Sequence, residues 1–280
     1  MLPIRDSNPT ERRPVVTLAL IAANVLIFLF WQPTLRGGAD AELEQQAFYW
    51  CHGLIPYEVT HQTDLADGGS GGAAALEDDY GRGRPDIGSD IQRFLQRECP
   101  SKSWLLSVFE SMFLHGGWLH IAGNMLFLWI FGNNIEDRLG HVLFLLFYLA
   151  GGVAAAALQI AFAPDSAIPN VGASGAIAAV LGAYLVLHPR ARVTTLLFLL
   201  FFVTWLELPA VAVLAFWFAL QLINGLGGLG VDVNSGVAYW AHVGGFVFGA
   251  VIAFVFLRRP GRGTQDPAPL PPSRPDPFYE

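Results

Sequence analysis

Long apolar stretches without a charged residue recur along this chain and constrain its fold more than any other feature. The first, residues 15–31, is long enough to cross the hydrocarbon core of a bilayer at about 1.5 Å per helical residue. Five more stretches of this kind follow, at residues 112–131, 142–163, 175–187, 209–222 and 237–257. A shorter apolar stretch, residues 193–206, is interpreted as an interfacial or re-entrant piece. The pattern predicts six transmembrane helices.

The composition agrees with a membrane protein. Only 14% of the 280 residues are charged, whereas an ordinary soluble domain has roughly 25%. The net charge of −7 argues against nucleic acid as a partner, because binding to phosphates requires an excess of basic residues. We therefore expect an all-α integral membrane protein, a bundle of six transmembrane helices with a long outer loop between the first helix and the second.

Basic residues next to the apolar stretches predict how the chain crosses the membrane. They flank the first, fourth and sixth stretches on one side, which the positive-inside rule assigns to the cytoplasm. These residues are Arg5, Arg12, Arg13, Arg190, Arg192, Arg258, Arg259 and Arg262. The prediction is a cytoplasmic N-terminus (1–14), a membrane core (15–257) that includes the outer loop (32–103), and a disordered, proline-rich cytoplasmic tail (258–280). We expect the membrane to be a bacterial cytoplasmic (inner) membrane.

The outer loop is acidic and contains both cysteines of the chain, Cys51 and Cys99. An oxidising compartment would allow a disulfide between them, but their spacing alone does not establish one. A stretch rich in glycine, alanine and aspartate, residues 66–88, is typical of a flexible, solvated segment rather than a folded one.

Polar side chains near the predicted outer ends of three helices are the candidates for chemistry. His120 and Asn124 are four residues apart in the second stretch and share one face of a helix. Ser174 opens the fourth stretch, and His242 lies near the start of the sixth. Because polar groups in hydrocarbon are costly and usually face the bundle interior, their common depth predicts a single site.

The chemistry available to these residues is nucleophilic. A serine hydroxyl becomes a good nucleophile when a histidine takes its proton, and Ser174 and His242 supply that pair. No Asp or Glu occurs in the apolar stretches, so the arrangement predicted is a dyad. His120, Asn124 and the backbone N–H of Ser174 are the candidate donors to an oxyanion.

Each group taken alone also has a purely structural interpretation. Residues 172–175 read Gly-Ala-Ser-Gly, which is typical of close packing between membrane helices. Gly245 and Gly249 form a GxxxG pair, and we do interpret these as packing. Glu136, at a cytoplasmic turn, predicts a local ion pair or a helix cap rather than catalysis. The occurrence of three polar clusters at one depth favours a site over separate structural roles.

The sequence resembles the rhomboid family of intramembrane serine proteases. The resemblance is carried by SMFLHGGWLHIAGNMLFLWIFGNNIEDRLG at residues 111–140, GASG around Ser174, and AHVGGFVFG at residues 241–249. It implies a six-transmembrane-helix rhomboid-like bundle with Ser174 as nucleophile, His242 as general base, and His120 and Asn124 at the oxyanion. It also implies a serine endopeptidase that needs no cofactor or metal. Its partners would be the lipid bilayer and transmembrane protein substrates, cut in or near a transmembrane helix.

The chain departs from the family pattern at two places. Residues 109–111 stand where family members often carry Trp-Arg, so the outer-loop structure is expected to differ. Ala178 occupies the position where some members place a tyrosine stacked on the catalytic histidine, so support for His242 must come from elsewhere. By analogy with the family, the fifth span with Trp217 and Phe218 is a candidate lateral gate for substrate.

Other functions are alternatives to this interpretation. The His-Glu-x-x-His motif of zinc proteases is absent, and the spans lack the aspartates that an aspartyl intramembrane protease requires. The main alternative is a non-catalytic rhomboid-like protein that binds membrane clients. The presence of both Ser174 and His242 favours the protease.

Overall fold

The computed structural model describes residues 2–33, 41–67, 69–80, 87–99, 102–199, 202–227 and 237–257. The disordered tail predicted for residues 258–280 lies outside these ranges. The described part of the chain is mostly helical, with one small sheet of three strands.

Among the described residues, four helices lie in the outer-loop region (32–103) and seven in the rest of the chain. The helices are α1 (Val15–Leu26, continued by a π-helical turn at Ile27–Trp31), α2 (Ala41–His52), α3 (Pro56–His61), α4 (Gly69–Tyr80), α5 (Ile87–Glu98), α6 (Trp104–Glu110, continued by a 3₁₀ turn at Ser111–Phe113), α7 (Trp118–Leu139), α8 (His141–Phe162), α9 (Ser174–Leu187), α10 (Ala210–Gly227) and α11 (Tyr239–Ile252, continued by a π-helical turn at Ala253–Leu257). The strands are β1 (Leu2–Asp6), β2 (Arg192–Leu199) and β3 (Phe202–Pro209).

Three of the described helices are long and apolar enough to cross a membrane by length and composition. They are α8, α10 and α11 with its π-helical continuation. Shorter apolar helices occur at Val15–Trp31, Trp104–Phe113 and Ser174–Leu187. The chain is therefore a membrane protein with several apolar helices, and the count of six spans stays a prediction.

Helix α9 lies at the centre of the membrane core. Every residue from 176 to 184 is buried, and α9 packs against α7, α8 and α11. A Cβ added to Gly245 or Gly249 of α11 would fall on a backbone oxygen of α9. The packing role predicted for this glycine pair is therefore confirmed, since only glycine allows α11 to approach α9 so closely.

The three-stranded sheet contradicts the all-α prediction. Strands β2 and β3 form an antiparallel hairpin, and β1 from the N-terminus pairs antiparallel with β2. Residues 193–206, interpreted from the sequence as an interfacial or re-entrant piece, are thus largely strand. The physical reason is the β-branched start of β2, where Val193 and Thr195 are buried and their neighbours less so.

Glu136 at the end of α7 caps the first helix of the core. Its buried carboxylate accepts hydrogen bonds from the backbone N–H of Val16 at 2.8 Å and of Thr17 at 2.7 Å. These are N–H groups of the first turn of α1, which lack partners within the helix. The structural role predicted for Glu136 is confirmed, and a carboxylate at a helix N-terminus is also favoured by the helix dipole.

The outer-loop unit, defined as residues 41–99, has its own apolar cluster. Trp50, Ile55, Leu65, Leu76 and Leu95 are buried in it, apart from the core around α9. A disulfide between Cys51 and Cys99 joins the end of α2 to the end of α5. The sequence alone did not decide whether this disulfide forms, and it is present in the structure.

The prediction that residues 66–88 form a flexible segment is wrong for the part of this stretch that the structure describes. Residues 69–80 form α4, and α5 begins at Ile87. The apolar residues of this stretch are few, but Leu76 is fully buried and Tyr80 packs edge-on against Trp50 at 5.5 Å between ring centroids. Two apolar side chains one helical turn apart therefore give α4 a buried face, although its glycine-rich composition suggests a flexible segment.

A buried ion pair connects the outer-loop unit to the start of α6. The Nζ atom of Lys102 lies 2.6 Å from Oε2 of Glu58, and both side chains are at most 3% exposed. Lys102 also donates to the backbone oxygen of Trp50 at 2.6 Å. Burial raises the pKa of Glu58 and lowers the pKa of Lys102, and the attraction between the two charges opposes both shifts.

The outer-loop unit also holds the segment that leads into α9. Leu54 and Asn170 exchange backbone hydrogen bonds of 3.1 Å and 2.7 Å, and the backbone N–H of Tyr57 donates to Ser166 at 3.0 Å. The carboxylate of Asp79 accepts from the backbone N–H of Ala167 at 2.6 Å. The segment that precedes Ser174 is therefore held in place by the outer-loop unit.

Candidate active site

Ser174 and His242 meet at the N-terminal ends of α9 and α11. The Nε2 atom of His242 lies 2.7 Å from Oγ of Ser174, a hydrogen-bond distance between residues 68 positions apart in the chain. The close glycine packing of α11 on α9 sets this distance. Because Ser174 is the first residue of α9, its backbone N–H points out of the helix N-terminus without an intrahelical acceptor.

The other ring nitrogen of His242 contacts a residue that the sequence analysis missed. Its Nδ1 atom lies 2.8 Å from Oε1 of Gln221 on α10. Trp217, one turn earlier on α10, lies with its ring 5.8 Å from the imidazole. Support for His242 therefore comes from α10. The sequence had predicted only that Ala178 could not supply this support. The available signal was that Gln221 is a polar residue in an otherwise apolar stretch.

His120 presents a donor to the space beside Ser174. Its Nδ1 atom accepts a hydrogen bond of 3.1 Å from the backbone N–H of Gly116. A neutral imidazole that accepts at Nδ1 carries its proton on Nε2, so Nε2 is the donor. A Cβ added to Gly172 would lie 2.9 Å from Nε2 of His120 and 3.3 Å from Oγ of Ser174. The gap between these two groups is thus open only because residue 172 is glycine, with φ of +138°.

Asn124 lies one turn along α7 from His120. The residue is 8% exposed, and among the described residues its Nδ2 atom has no hydrogen-bond partner. A buried amide left without a partner costs roughly 1–3 kcal/mol. Its N–H groups are available to a ligand that enters the bundle.

A small cavity opens beside Ser174. Most of its walls are small side chains and backbone, contributed by α8, α9, α11 and the segment before α9; they include Gly152, Ala155, Gln159, Gly172 and Ala241. Gln159 is fixed by the backbone N–H of Ala241, which donates to its Oε1 at 3.2 Å. Within the described ranges, no group of three or more His, Cys, Asp or Glu side chains is placed to hold a metal ion.

Apolar helices that hold a half-buried serine–histidine pair define a membrane protein with a serine-centred site. Residues 102–259 match the family model of the Rhomboid domain, which covers more than half of the chain, and the chain belongs to the rhomboid family. Its membrane association follows from that membership and from its apolar helices.

Curated relatives agree with this assignment. RHOMBOID-like protein 4 of Arabidopsis thaliana is 29% identical over 192 residues, which cover 68% of this chain and 43% of that protein. RHOMBOID-like protein 1 of the same plant is 32% identical over 160 residues, covering 56% and 36%. Rhomboid protease GluP of Bacillus subtilis is 44% identical over 72 residues, covering 26% and 14%. The chain thus spans less than half the length of each of these relatives.

The relatives do not support the bacterial cytoplasmic membrane that the sequence analysis expected. Beside the bacterial protein they include RHOMBOID-like protein 6, mitochondrial, of Arabidopsis thaliana and Rhomboid protein 1, mitochondrial, of Saccharomyces cerevisiae. Relatives named mitochondrial thus stand beside a bacterial one, and the integral membrane assignment is the part that stands.

Proposed function

We propose that this chain is an intramembrane serine endopeptidase that hydrolyses peptide bonds in or near the transmembrane helices of membrane-protein substrates. The observation that carries the proposal is the 2.7 Å contact between Nε2 of His242 and Oγ of Ser174. The non-catalytic alternative has no need of such a contact, nor of an open gap between His120 and Ser174.

The geometry supports a two-step acyl transfer. As Oγ of Ser174 bonds to the substrate carbonyl carbon, its proton passes to Nε2 of His242. The protonated His242 then gives that proton to the leaving amine, and the C–N bond breaks to leave an acyl-enzyme. Water attacks the ester by the same route, with His242 as base and Ser174 regenerated.

The oxyanion would form in the gap that Gly172 leaves open. His120 through Nε2–H, Asn124 through Nδ2–H and the backbone N–H of Ser174 are the donors to it. Each donor of this kind is worth roughly 3–4 kcal/mol of transition-state stabilisation in other hydrolases. The N-terminus of α9 adds its dipole in the same direction.

In the membrane arrangement we propose, α1, α7, α8, α9, α10 and α11 are the six spans. Residues 1–14 and 258–280 are cytoplasmic, the core runs from 15 to 257, and the outer-loop unit faces the opposite side. Helix α9 is short, about 21 Å, against a hydrocarbon core of about 30 Å. Ser174 then lies below the outer surface, under a cavity that water can enter.

The decisive experiment is to label detergent-solubilised protein with a fluorophosphonate and to map the adduct by mass spectrometry. We expect one adduct, on Ser174, that is lost in Ser174→Ala and in His242→Ala. Each variant is checked for the Cys51–Cys99 disulfide and for its thermal transition. Folded wild-type protein that reacts neither with this reagent nor with a second serine-directed chemotype would overturn the proposal and favour a client-binding protein.

Gly172→Ala is expected to slow labelling of Ser174 by about 10²–10³-fold, because the added methyl group fills the space for the oxyanion and alanine is strained at a φ of +138°. The measurement is the rate of fluorophosphonate labelling beside the thermal transition. Gly123→Ala is the matched control, since a Cβ there meets no atom within 4 Å. An unchanged rate in folded Gly172→Ala would show that the oxyanion lies elsewhere.

A further inference from the structure

Helix α10 reaches the candidate dyad through one polar side chain. Gln221 places Oε1 2.8 Å from Nδ1 of His242, and its Nε2 atom lies 3.5 Å from the backbone oxygen of Trp217. A carbonyl oxygen only accepts and an amide nitrogen only donates, so the two contacts fix which way the amide faces. Its oxygen is turned to His242 because its nitrogen is turned to the backbone of its own helix.

This orientation decides where the proton of His242 sits. With an acceptor at Nδ1, the neutral ring keeps its hydrogen on Nδ1 and presents the lone pair of Nε2 to Ser174. The reversed amide would put a donor at Nδ1 and move the hydrogen to Nε2, and the ring could then no longer act as a base toward Oγ. Hydrogen bonds therefore run in one direction from Ser174 through His242 to Gln221 and the backbone of α10.

We propose that Gln221 is the positioning residue of this active site, which holds His242 in the tautomer and ring orientation that general-base catalysis requires. The inference rests on the proposed function and adds a third member to the dyad. Gln221 would do through a neutral amide what a carboxylate does in other serine hydrolases. An uncharged group is far less costly to bury in an apolar helix than a carboxylate.

No other group in the described part of the chain is seen to take this role. The segments packed around His242 are α8, α9 and α10, and the described side chains that contact its ring are Ser174, Trp217 and Gln221, none of which titrates near neutral pH. The titratable side chain that acts on His242 electrostatically is His120 of α7. The pH dependence of the reaction that His242 assists should therefore respond clearly to a substitution at residue 221.

The test compares three variants by the rate of fluorophosphonate labelling of Ser174 between pH 5 and 9, beside the thermal transition of each. Gln221→Met keeps the length of the side chain and removes the acceptor, and we expect it to label about tenfold more slowly than wild type. Gln221→Glu keeps an acceptor and adds a charge that stabilises the protonated imidazole. We expect its labelling to fall off at a higher pH than in wild type, while the rate on the alkaline side stays close to that of wild type.

Asn224→Met is the matched control, because Asn224 is an exposed amide residue on the same helix, one turn beyond. It is expected to label as wild type does. A folded Gln221→Met with the wild-type rate, or a Gln221→Glu with an unshifted profile, would overturn the inference and leave the proposed function standing. If Gln221→Met does not fold, the profile of Gln221→Glu decides. A wild-type protein that takes no label refutes the proposed function itself.

Discussion

Ser174→Ala and His242→Ala are each expected to lower substrate cleavage at least about 10⁴-fold, with the protein still folded and inserted. The first change removes the nucleophile and the second removes its base. Because the two atoms share a single 2.7 Å contact and act as a unit, the double variant should be no slower than either single one. Both substitutions remove atoms without adding bulk to the packed ends of α9 and α11.

The assay is cleavage of a single-span test protein in lipid vesicles that also contain the enzyme. The transmembrane helix of this substrate carries glycine, alanine and serine, so that it unwinds readily. Fragments are followed by gel and assigned by mass spectrometry. Ser89→Ala, at an exposed serine of the outer-loop unit, is the matched control and should cleave as wild type does. Cleavage at the wild-type rate by Ser174→Ala would refute the mechanism.

Lys102→Met is expected to destabilise the outer-loop unit by about 3–5 kcal/mol, because it leaves the carboxylate of Glu58 buried without its partner. The measurement is amide hydrogen exchange of residues 41–99, with resistance to protease as a second probe. The double variant Glu58→Gln, Lys102→Met removes both charges and should recover most of the loss. Equal protection in Lys102→Met and wild type would show that the pair contributes nothing.

The loss in Lys102→Met should also depend on pH in a defined direction. Burial raises the pKa of Glu58 above its usual value, and removal of Lys102 raises it further. A carboxyl with a raised pKa in the folded state destabilises the fold where it is charged, and the penalty disappears as it becomes protonated. The deficit should therefore be full near neutral pH and shrink as pH falls toward about 4.

The candidate site residues were accessible to sequence reasoning because helix geometry brings them together in a simple way. His120 and Asn124 share a helical face, Ser174 opens α9, and His242 lies in the first turn of α11. Once several helices cross a membrane side by side, groups near the same end of each are close. Gln221 was not predictable in this way, since its contact depends on how α10 crosses α11, which no local pattern encodes.

The two parts of the fold that the sequence analysis missed have different causes. The sheet joins Leu2 to Leu196 by pairing of β1 with β2, a contact between distant segments that periodicity cannot reveal. In α4, small residues outnumber the apolar ones that drive folding, and Leu76 alone contributes a fully buried side chain. The average composition of the segment hides a single residue of this kind, whereas the packing of the helix depends on it.

The sheet holds the first residue of α10 in place. Strand β3 ends at Pro209 and α10 begins at Ala210, whose backbone N–H donates to Ala191 at 2.7 Å and whose side chain is fully buried. Gln221 lies about 16 Å along the helix from that point, so a tilt of about 10° would carry it about 3 Å. Under the proposed function, an outward tilt of α10 that admitted a substrate helix would separate Gln221 from His242. His242 would regain this partner only when α10 returned.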